Sequence, residues 1–525
     1  MIDGEMQAFA LTLDKFLEHA AKWRPDAQVV TARDGGEIDR ISYADLMVRS
    51  RRASAMLAGL GVRTGDRVAT LAWNTQAHVE VWYGVMGMGA VCHTLNPRLT
   101  AEHLASMIVQ SQARILIASA DLAPLAGQIL ERVPGVEHLL IIDAVGDAIP
   151  PGAPSAVLME PLLAEATGEV VWGDFDETAP CGLCFTSGTT GAPKGVTYTH
   201  RSSFLHTLRA LQADVMAISG ADSILAVVPM FHANAWGLPF AAPAVGAKLV
   251  LPGRMADGAS LARLIAAEDV TIGVGVPTVW LGLVEHLEAT GGELPSLKRI
   301  IVGGAPMAPA LMERIEQRLG VRVQTSWGMT ELSPSGTVAP LSAPAHAALS
   351  GRPAIGVDLL LTDADGTPLP QQRDAEGHLR VRGAAVIERY FGHDTSATDA
   401  DGWFPTGDLA RIDAVGNLMI TGRAKDLIKS GGEWINPAEI EAVVGALPEV
   451  SLAAVIGRTD PKWGERPILL VETLGEVSDE VLLASLRGRV APWWIPDAVF
   501  RLPRMPLAAT GKIDKIRLRS EYGGG

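Results

Sequence analysis

The runs SILAVVP (223–229), AKLVLPG (247–253) and KRIIVGG (298–304) decide the fold. Each is short and apolar, is closed by Pro or Gly, and shows no alternation of polar residues that would mark a face turned to water. Strands of this kind belong in a sheet covered on both sides. Working outward, RVATLAW (67–73), ARILIAS (113–119) and HLLIID (138–143) repeat the pattern, and amphipathic stretches fill the intervals. In YADLMVRSRRASAMLAGLG (43–61) the apolar residues fall at helical spacing and the stretch stops at Gly61. Strands alternating with helices predict an α/β fold whose large N-terminal domain is built of parallel-type sheets layered with helices.

From about residue 351 the segments shorten and alternate, as in GHLRVRG (377–383) and GNLMITG (416–422), which predicts a small antiparallel, β-barrel-like subdomain. After GRAKD (422–426) the α/β character returns: PAEIEAVVGAL reads as a helix, VSLAAVIG as a strand and EVLLASLRGRV as a second helix. We place a boundary near Lys425, dividing the chain into a domain of residues 1–422 and a small mobile C-terminal α+β domain of residues 423–525. A length of 525 residues exceeds what one hydrophobic core serves, so at least two domains are expected.

Hydrophobic residues make up 48% and charged residues 20%, which argues against a disordered or fibrous chain. The net charge of -15 opposes general attraction to nucleic acid or anionic lipid, so an anionic substrate needs a local basic site. MIDGEMQAFA has no cationic n-region and no apolar run approaches a membrane span, so a cytoplasmic protein is expected. Three cysteines are too few for a disulfide scaffold. Cys181 and Cys184 form a CxxC inside an apolar, strand-like run, where the spacing sends the side chains to opposite faces. No second Cys or Cys/His pair follows at zinc spacing, so both read as buried structural thiols.

The densest local signal is Thr186, Ser187, Gly188, Thr189, Thr190, Gly191, Ala192, Pro193, Lys194 and Gly195, directly after the apolar CGLCF. Its glycines allow backbone conformations closed to other residues, its hydroxyls donate, and Lys194 supplies a cation. Such a loop can wrap a polyphosphate. The Walker A spacing is absent, and a solvated Gly/Thr turn is the plainer alternative.

Together with SWGMTE (326–331), GWFPTGD (402–408), GRAKDLIKSGGEWINPAEIE (422–441) and ATGKIDK (509–515), this loop resembles the adenylate-forming superfamily. That superfamily includes acyl-CoA synthetases, firefly luciferase and peptide-synthetase adenylation domains. The motifs follow the family's order and approximate spacing over residues 180–515. PMFHANAWG (229–237) looks most like bacterial fatty acyl-CoA synthetases and 3-methylthiopropionate-CoA ligases.

The resemblance implies a role for each residue. Thr325, Ser326, Trp327 and Gly328 lead into Thr330, which would contact phosphate, and Glu331, which would hold Mg2+ with Thr186 near the same ion. Magnesium suits one carboxylate plus the phosphates of ATP. Trp327 offers a flat face for adenine. Gly303, Gly304 and Ala305 would border adenine and the acyl carboxylate, and Asp408 would take the ribose hydroxyls. Without that context Asp408 reads as a turn residue and Trp327-Gly-Met-Thr-Glu as a buried edge with a helix cap. Ala233 lies between His232, expected near the acyl carboxylate, and Trp236, whose counterpart swings to open the acyl tunnel.

Lys512 matches the family lysine that bridges the attacking carboxylate and the α-phosphate, where negative charge gathers as pyrophosphate departs. Lys425 matches the hinge about which the C-terminal domain turns. That turn would withdraw Lys512 and bring Ser430, Gly431, Gly432 and Trp434 to the site to admit the thiol of coenzyme A. Arg423 would contact ribose in the first state and Lys429 the nucleotide.

The expected activity is that of an ATP-dependent acid:CoA ligase, homodimeric by resemblance, with a medium- or long-chain fatty acid as substrate. Short or modified acids such as 3-methylthiopropionate, then aryl acids, are the alternatives. A luciferase-like oxygenase, an enzyme that loads a carrier protein, and a catalytically dead binding protein are rivals of other classes; the last would be expected to lack Lys512 or Glu331.

Overall fold

The computed structural model describes residues 4–146, 148–186, 193–431, 433–508 and 512–524. Two large sheets dominate it. In the first, seven strands run in the order Val157–Leu158, His138–Ile142, Ile115–Ser119, Arg67–Leu71, Val91–Thr94, Pro180–Thr186 and Lys194–Thr199. All neighbours are parallel except the last pair. The second sheet has nine strands, with a parallel centre of Arg322–Gly328, Arg299–Val302, Ile272–Gly275, Ser223–Ala226, Lys248–Leu251 and Gln28–Ala32. Antiparallel edges are added by Ser335–Val338 with Arg352–Pro353, and by Ile38–Ser42. The central strands Ser223–Ala226, Ile272–Gly275 and Arg299–Val302 are buried along their whole length, as expected for a sheet covered by helices on both faces.

The helices obey local rules. Tyr43–Gly59 begins where the Ser42 hydroxyl accepts the N–H of Asp45, and ends where Gly61 adopts φ +84°. Its Tyr43, Leu46, Met56 and Leu57 are buried in the core between the layers. Asn74 pins the two large sheets to each other. Standing just beyond the strand Arg67–Leu71, it donates to the carbonyls of Ala226 and Val228 and accepts the N–H of Met230. Buried amide groups satisfied this fully fix one sheet relative to the other.

The antiparallel subdomain is an open four-stranded meander of Val357–Thr362, Ala375–Gly383, Phe404–Ile412 and Leu418–Arg423. A separate core that includes Ile428, Val455, Leu469 and Leu482 lies in a five-stranded sheet of residues 428–501 with the helices Pro437–Val444 and Asp479–Leu486 against it. Cys92, Cys181 and Cys184 are buried and free. The Cys181 thiol donates to the carbonyl of Tyr198, whereas that of Cys184 meets Thr94 Oγ1 at 3.1 Å, so the two thiols have separate surroundings. Among the described residues no helix is long and apolar enough to cross a membrane.

Candidate active site

Parallel strands leave their C-terminal ends open to a ligand, and at those ends the loops carry the chemistry. Pro180–Thr186 ends on Thr186, Arg299–Val302 runs into Gly303 and Gly304, and Arg322–Gly328 carries Thr325 to Gly328. Ser187, Gly188, Thr189, Thr190, Gly191 and Gly432 lie outside the described residues. Across the base of that loop the hydroxyl of Thr186 donates to the Lys194 carbonyl at 3.3 Å.

Gly303 must be glycine, because an added Cβ would overlap Ser326 Oγ and stand 3.0 Å from Cη2 of Trp236. Gly304 takes φ +77°, and its open side faces Trp236 and Cε of Lys512, each 3.9 Å from where a Cβ would be. The structure thus brings the C-terminal lysine to the end of a central strand of the large domain. Lys512 sits close enough for its charge to be felt at His232 and for Asp408 and Glu331 to act on it. Its ammonium makes no hydrogen bond or ion pair among the described residues. Burial, then the neighbouring Arg423, lower its pKa below the ordinary lysine value, while Asp408 and Glu331 oppose that shift. Burial, reinforced by Lys512, holds His232 down to about 4, so its imidazole is neutral at physiological pH.

The hydroxyls of Thr325 and Ser326 are spent on the scaffold. Thr325 Oγ1 donates to the carbonyl of Leu349, and Ser326 Oγ to that of Val302 at 2.8 Å. Gly328 admits the carbonyl of Pro334 where a Cβ would overlap it. Trp327 is only 7% exposed; its ring packs on Gly336 and its indole N–H donates to Oδ2 of Asp408 at 2.8 Å. Oδ1 of Asp408 pairs with Nε of Arg423 at 2.6 Å, its direct cross-strand neighbour. Burial pushes the Asp408 carboxyl up, against the pull of Arg423.

Thr330 and Glu331 are both buried, and the hydroxyl of Tyr198 donates to the Thr330 carbonyl at 2.8 Å. Oε1 of Glu331 accepts from the hydroxyl of Tyr390 at 2.9 Å, while its Oε2 takes no hydrogen bond among the described residues. Tyr390 also lies beneath the Lys194 ammonium, 4.9 Å from ring centroid to nitrogen. Burial and the adjacent Glu331 charge push its phenol up, so it remains a donor. No motif in the sequence marks Tyr390; a lone aromatic in ERYFGH gives no signal of what it touches.

Ala233, Asn234, Ala235, Trp236 and Gly237 all have positive φ, between +46° and +78°. Four consecutive non-glycine residues in the left-handed region are costly, about 1 kcal/mol or more each. Such strain persists only where the surroundings over-determine it. Here Asn234 is buried and accepts from the Cys184 thiol at 3.5 Å, and Trp236 is wedged against Gly303. Asn tolerates this conformation better than most residues, and Asn234, with Gly237 after it, is what the sequence shows of the turn.

The short turn Ala424–Asp426 follows the meander, and Asp426 pairs with Arg519 of the last helix at 2.7 Å. Burial lowers the Lys425 pKa. Ser430, Gly431 and Trp434 are not brought to Lys512. They lie on the hairpin Ile428–Ser430 and Glu433–Ile435, where Ser430 accepts from Arg466, Gly431 donates to the Trp463 carbonyl, and Lys429 covers the ring of the half-exposed Trp434. Ala305 is half-buried just beyond Gly304.

Among the described residues no group of three or more His, Cys, Asp or Glu could hold a metal. A single carboxylate oxygen left open on Glu331 is the sparse hard-oxygen donor that fits magnesium carried in by phosphates and water.

Residues 17–391 match the family described as AMP-binding enzyme, and residues 439–512 match the AMP-binding enzyme C-terminal domain. A medium-chain-fatty-acid–CoA ligase of Ectopseudomonas oleovorans is 40% identical over 534 residues, covering 99% of this chain and 97% of its own. A 3-methylmercaptopropionyl-CoA ligase of Ruegeria lacuscaerulensis is 39% identical over 532 residues, covering 99% and 98%. The crystal structure of the anthranilate CoA ligase AuaEII in complex with anthranoyl-AMP shares the fold, with a TM-score of 0.88 at 23% identity and 99% of each chain covered.

Proposed function

The chain belongs to the AMP-binding enzyme family, and from that premise we propose that it activates a medium- or long-chain fatty acid as an acyl-adenylate and passes the acyl group to coenzyme A. It is an AMP-forming acid-thiol ligase. In the first step a carboxylate oxygen attacks the α-phosphorus of ATP and pyrophosphate leaves. In the second the CoA thiolate attacks the acyl carbon and AMP leaves.

The observation that carries this reading is the ammonium of Lys512, unpaired among the described residues, at Gly304 within the electrostatic reach of His232, Asp408 and Glu331. A preorganised cation at that place stabilises the charge that builds on the α-phosphate, and positioning does most of the remaining work. Lys194 and the hydroxyls of the loop from Thr186 receive the outer phosphates, and Asp408, oriented by Trp327 and Arg423, takes the ribose. His232, being neutral, can lie beside the acyl carboxylate without forming a competing ion pair. Glu331 and Thr186 are the residues that would hold Mg2+, which when bound neutralises phosphate charge. The domains we assign are residues 1–422 for ATP and acid and 423–525 for Lys512. Rotation about Lys425 would exchange Lys512 for Ser430, Gly431, Gly432 and Trp434 in the second step.

3-Methylthiopropionate is the second reading. The Ruegeria relative is matched almost as well as the fatty-acid ligase, at 39% against 40% identity. We further propose a cytoplasmic homodimer, on the resemblance alone; a monomeric mass in light scattering would refute the dimer. The test of function is AMP release with Mg-ATP and CoA across propionate, 3-methylthiopropionate, butyrate, octanoate, palmitate and cinnamate. AMP together with one acyl-CoA supports the ligase and names the acid class. Pyrophosphate exchange without any thioester keeps the adenylation site and overturns coenzyme A as acceptor.

A further inference from the structure

Tyr390 stands between the two groups that an adenylation site needs at the triphosphate. Its ring lies beneath the Lys194 ammonium at 4.9 Å, and its hydroxyl donates to Oε1 of Glu331 at 2.9 Å. The segment carrying it is fastened by backbone on both sides. Ile387 donates to the carbonyl of Glu331 at 2.9 Å, and Phe391 to the carbonyl of Gly195 at 2.8 Å. Gly195 permits this approach, since a Cβ there would stand 2.9 Å from Cβ of Phe391. One short stretch therefore locks the foot of the phosphate loop, on the seven-stranded sheet, to the acidic residue in the turn Thr330–Leu332 that joins two strands of the nine-stranded sheet.

We propose that Tyr390 is a positioning residue for the adenylation half-reaction, holding the Glu331 carboxylate and the Lys194 ammonium as one preorganised pair for the triphosphate. The inference rests on the adenylation reading above. The chemistry of the side chain suits the task. An arginine or lysine at this position would pair with Glu331 and cancel the charge that a divalent cation must meet. A phenol instead orients one oxygen, leaves the other open and keeps the charge intact. The same ring offers its negative face to Lys194, steadying a long side chain that otherwise loses rotamer freedom only when ATP binds. The ring and the hydroxyl thus serve different partners, and substitution can separate them.

Tyr390→Phe removes the hydroxyl and keeps the ring, whereas Tyr390→Leu removes both. The readouts are calorimetric ATP binding across a magnesium titration without acid, pyrophosphate exchange, thioester formation from preformed acyl-AMP, and Tm. For Tyr390→Phe, the magnesium concentration giving half-maximal ATP binding should rise about tenfold or more, the scale typical of losing a group that orients a metal ligand. Exchange should fall with it, while thioester formation and Tm stay at wild-type values. Tyr390→Leu should in addition weaken ATP binding measured with EDTA present. Wild-type magnesium dependence in Tyr390→Phe would overturn the proposal, and so would equal loss in both half-reactions with a lowered Tm, which is the mark of a merely structural role. A wild-type protein that binds no Mg-ATP would overturn the adenylation reading itself, and that result appears in a separate arm.

Discussion

Trp327 and Asp408 meet edge-on: the indole N–H donates to Oδ2 of the carboxylate at 2.8 Å, leaving Oδ1 to Arg423 at 2.6 Å. Two sheets meet at this contact, since Trp327 ends a strand of the large parallel sheet and Asp408 lies in the antiparallel meander. A buried carboxylate held from both sides has one orientation, which is what recognition of a vicinal diol requires.

Asp408→Asn tests that role. An amide keeps the shape, and Arg423 is exposed enough to regain water once its partner is gone. The loss of a charged acceptor should weaken ATP binding about 10- to 100-fold, on the scale of about 1.5–3 kcal/mol for a hydrogen bond to a charged group. Tm should change little. Calorimetry with ATP and a thermal melt check the two halves; a large fall in Tm at unchanged affinity would make Asp408 purely structural.

Acid should destabilise the fold through histidines rather than through the site alone. Burial is the main cause holding His78 and His232 down to about 4 and His93 and His200 to about 3, against an ordinary value of 6.5. Groups whose folded pKa is depressed contribute stability fully present above 6.5 and lost as pH falls toward 3–4, because the unfolded chain binds protons that the native state refuses. His93 is wholly buried, and neither ring nitrogen has a hydrogen-bond partner among the described residues. His93→Leu should therefore reduce the loss of stability between pH 6 and 4.5 by about 1.4 kcal/mol per pH unit, one proton's worth. At pH 7.5 it should be neutral or stabilising by about 1 kcal/mol. Urea denaturation across pH measures both.

Gly303→Ala should drive Trp236 and Ser326 apart, since its Cβ enters the space between them. Overpacking of this kind costs about 1–3 kcal/mol, and the KM for the acid should rise. Adding Ser326→Ala removes the hydroxyl that is overlapped and should recover part of the stability, so a double-mutant cycle in denaturant reads the coupling directly. Additive losses would place the strain elsewhere.

The central strands are legible because a sheet covered on both faces demands unbroken apolar runs, and Ser223–Ala226, Lys248–Leu251 and Arg299–Val302 fall inside the runs that announce them. Their partners are less so. Gln28–Ala32 joins the second sheet beside Lys248–Leu251, more than two hundred residues away, and no local period reports such a pairing. The chemistry-bearing residues of the motifs are legible as types, but what each is bonded to is not. Thr325 and Ser326 spend their hydroxyls on carbonyls of the scaffold, and the left-handed turn at 233–237 leaves only Asn234 and Gly237 as hints. Tyr390 is invisible in sequence because its two partners, Lys194 at the start of a strand and Glu331 in a turn, are brought to it from distant parts of the chain.

The measurement that tests the account most directly is the pair of half-reactions in Lys512→Ala. Acyl-AMP formation should fall at least about 100-fold, the loss expected for one preorganised contact to developing charge, while thioester formation from preformed acyl-AMP falls much less. Equal losses in the two steps would contradict the assignment of Lys512 to the first step and of the domain rotation to the second.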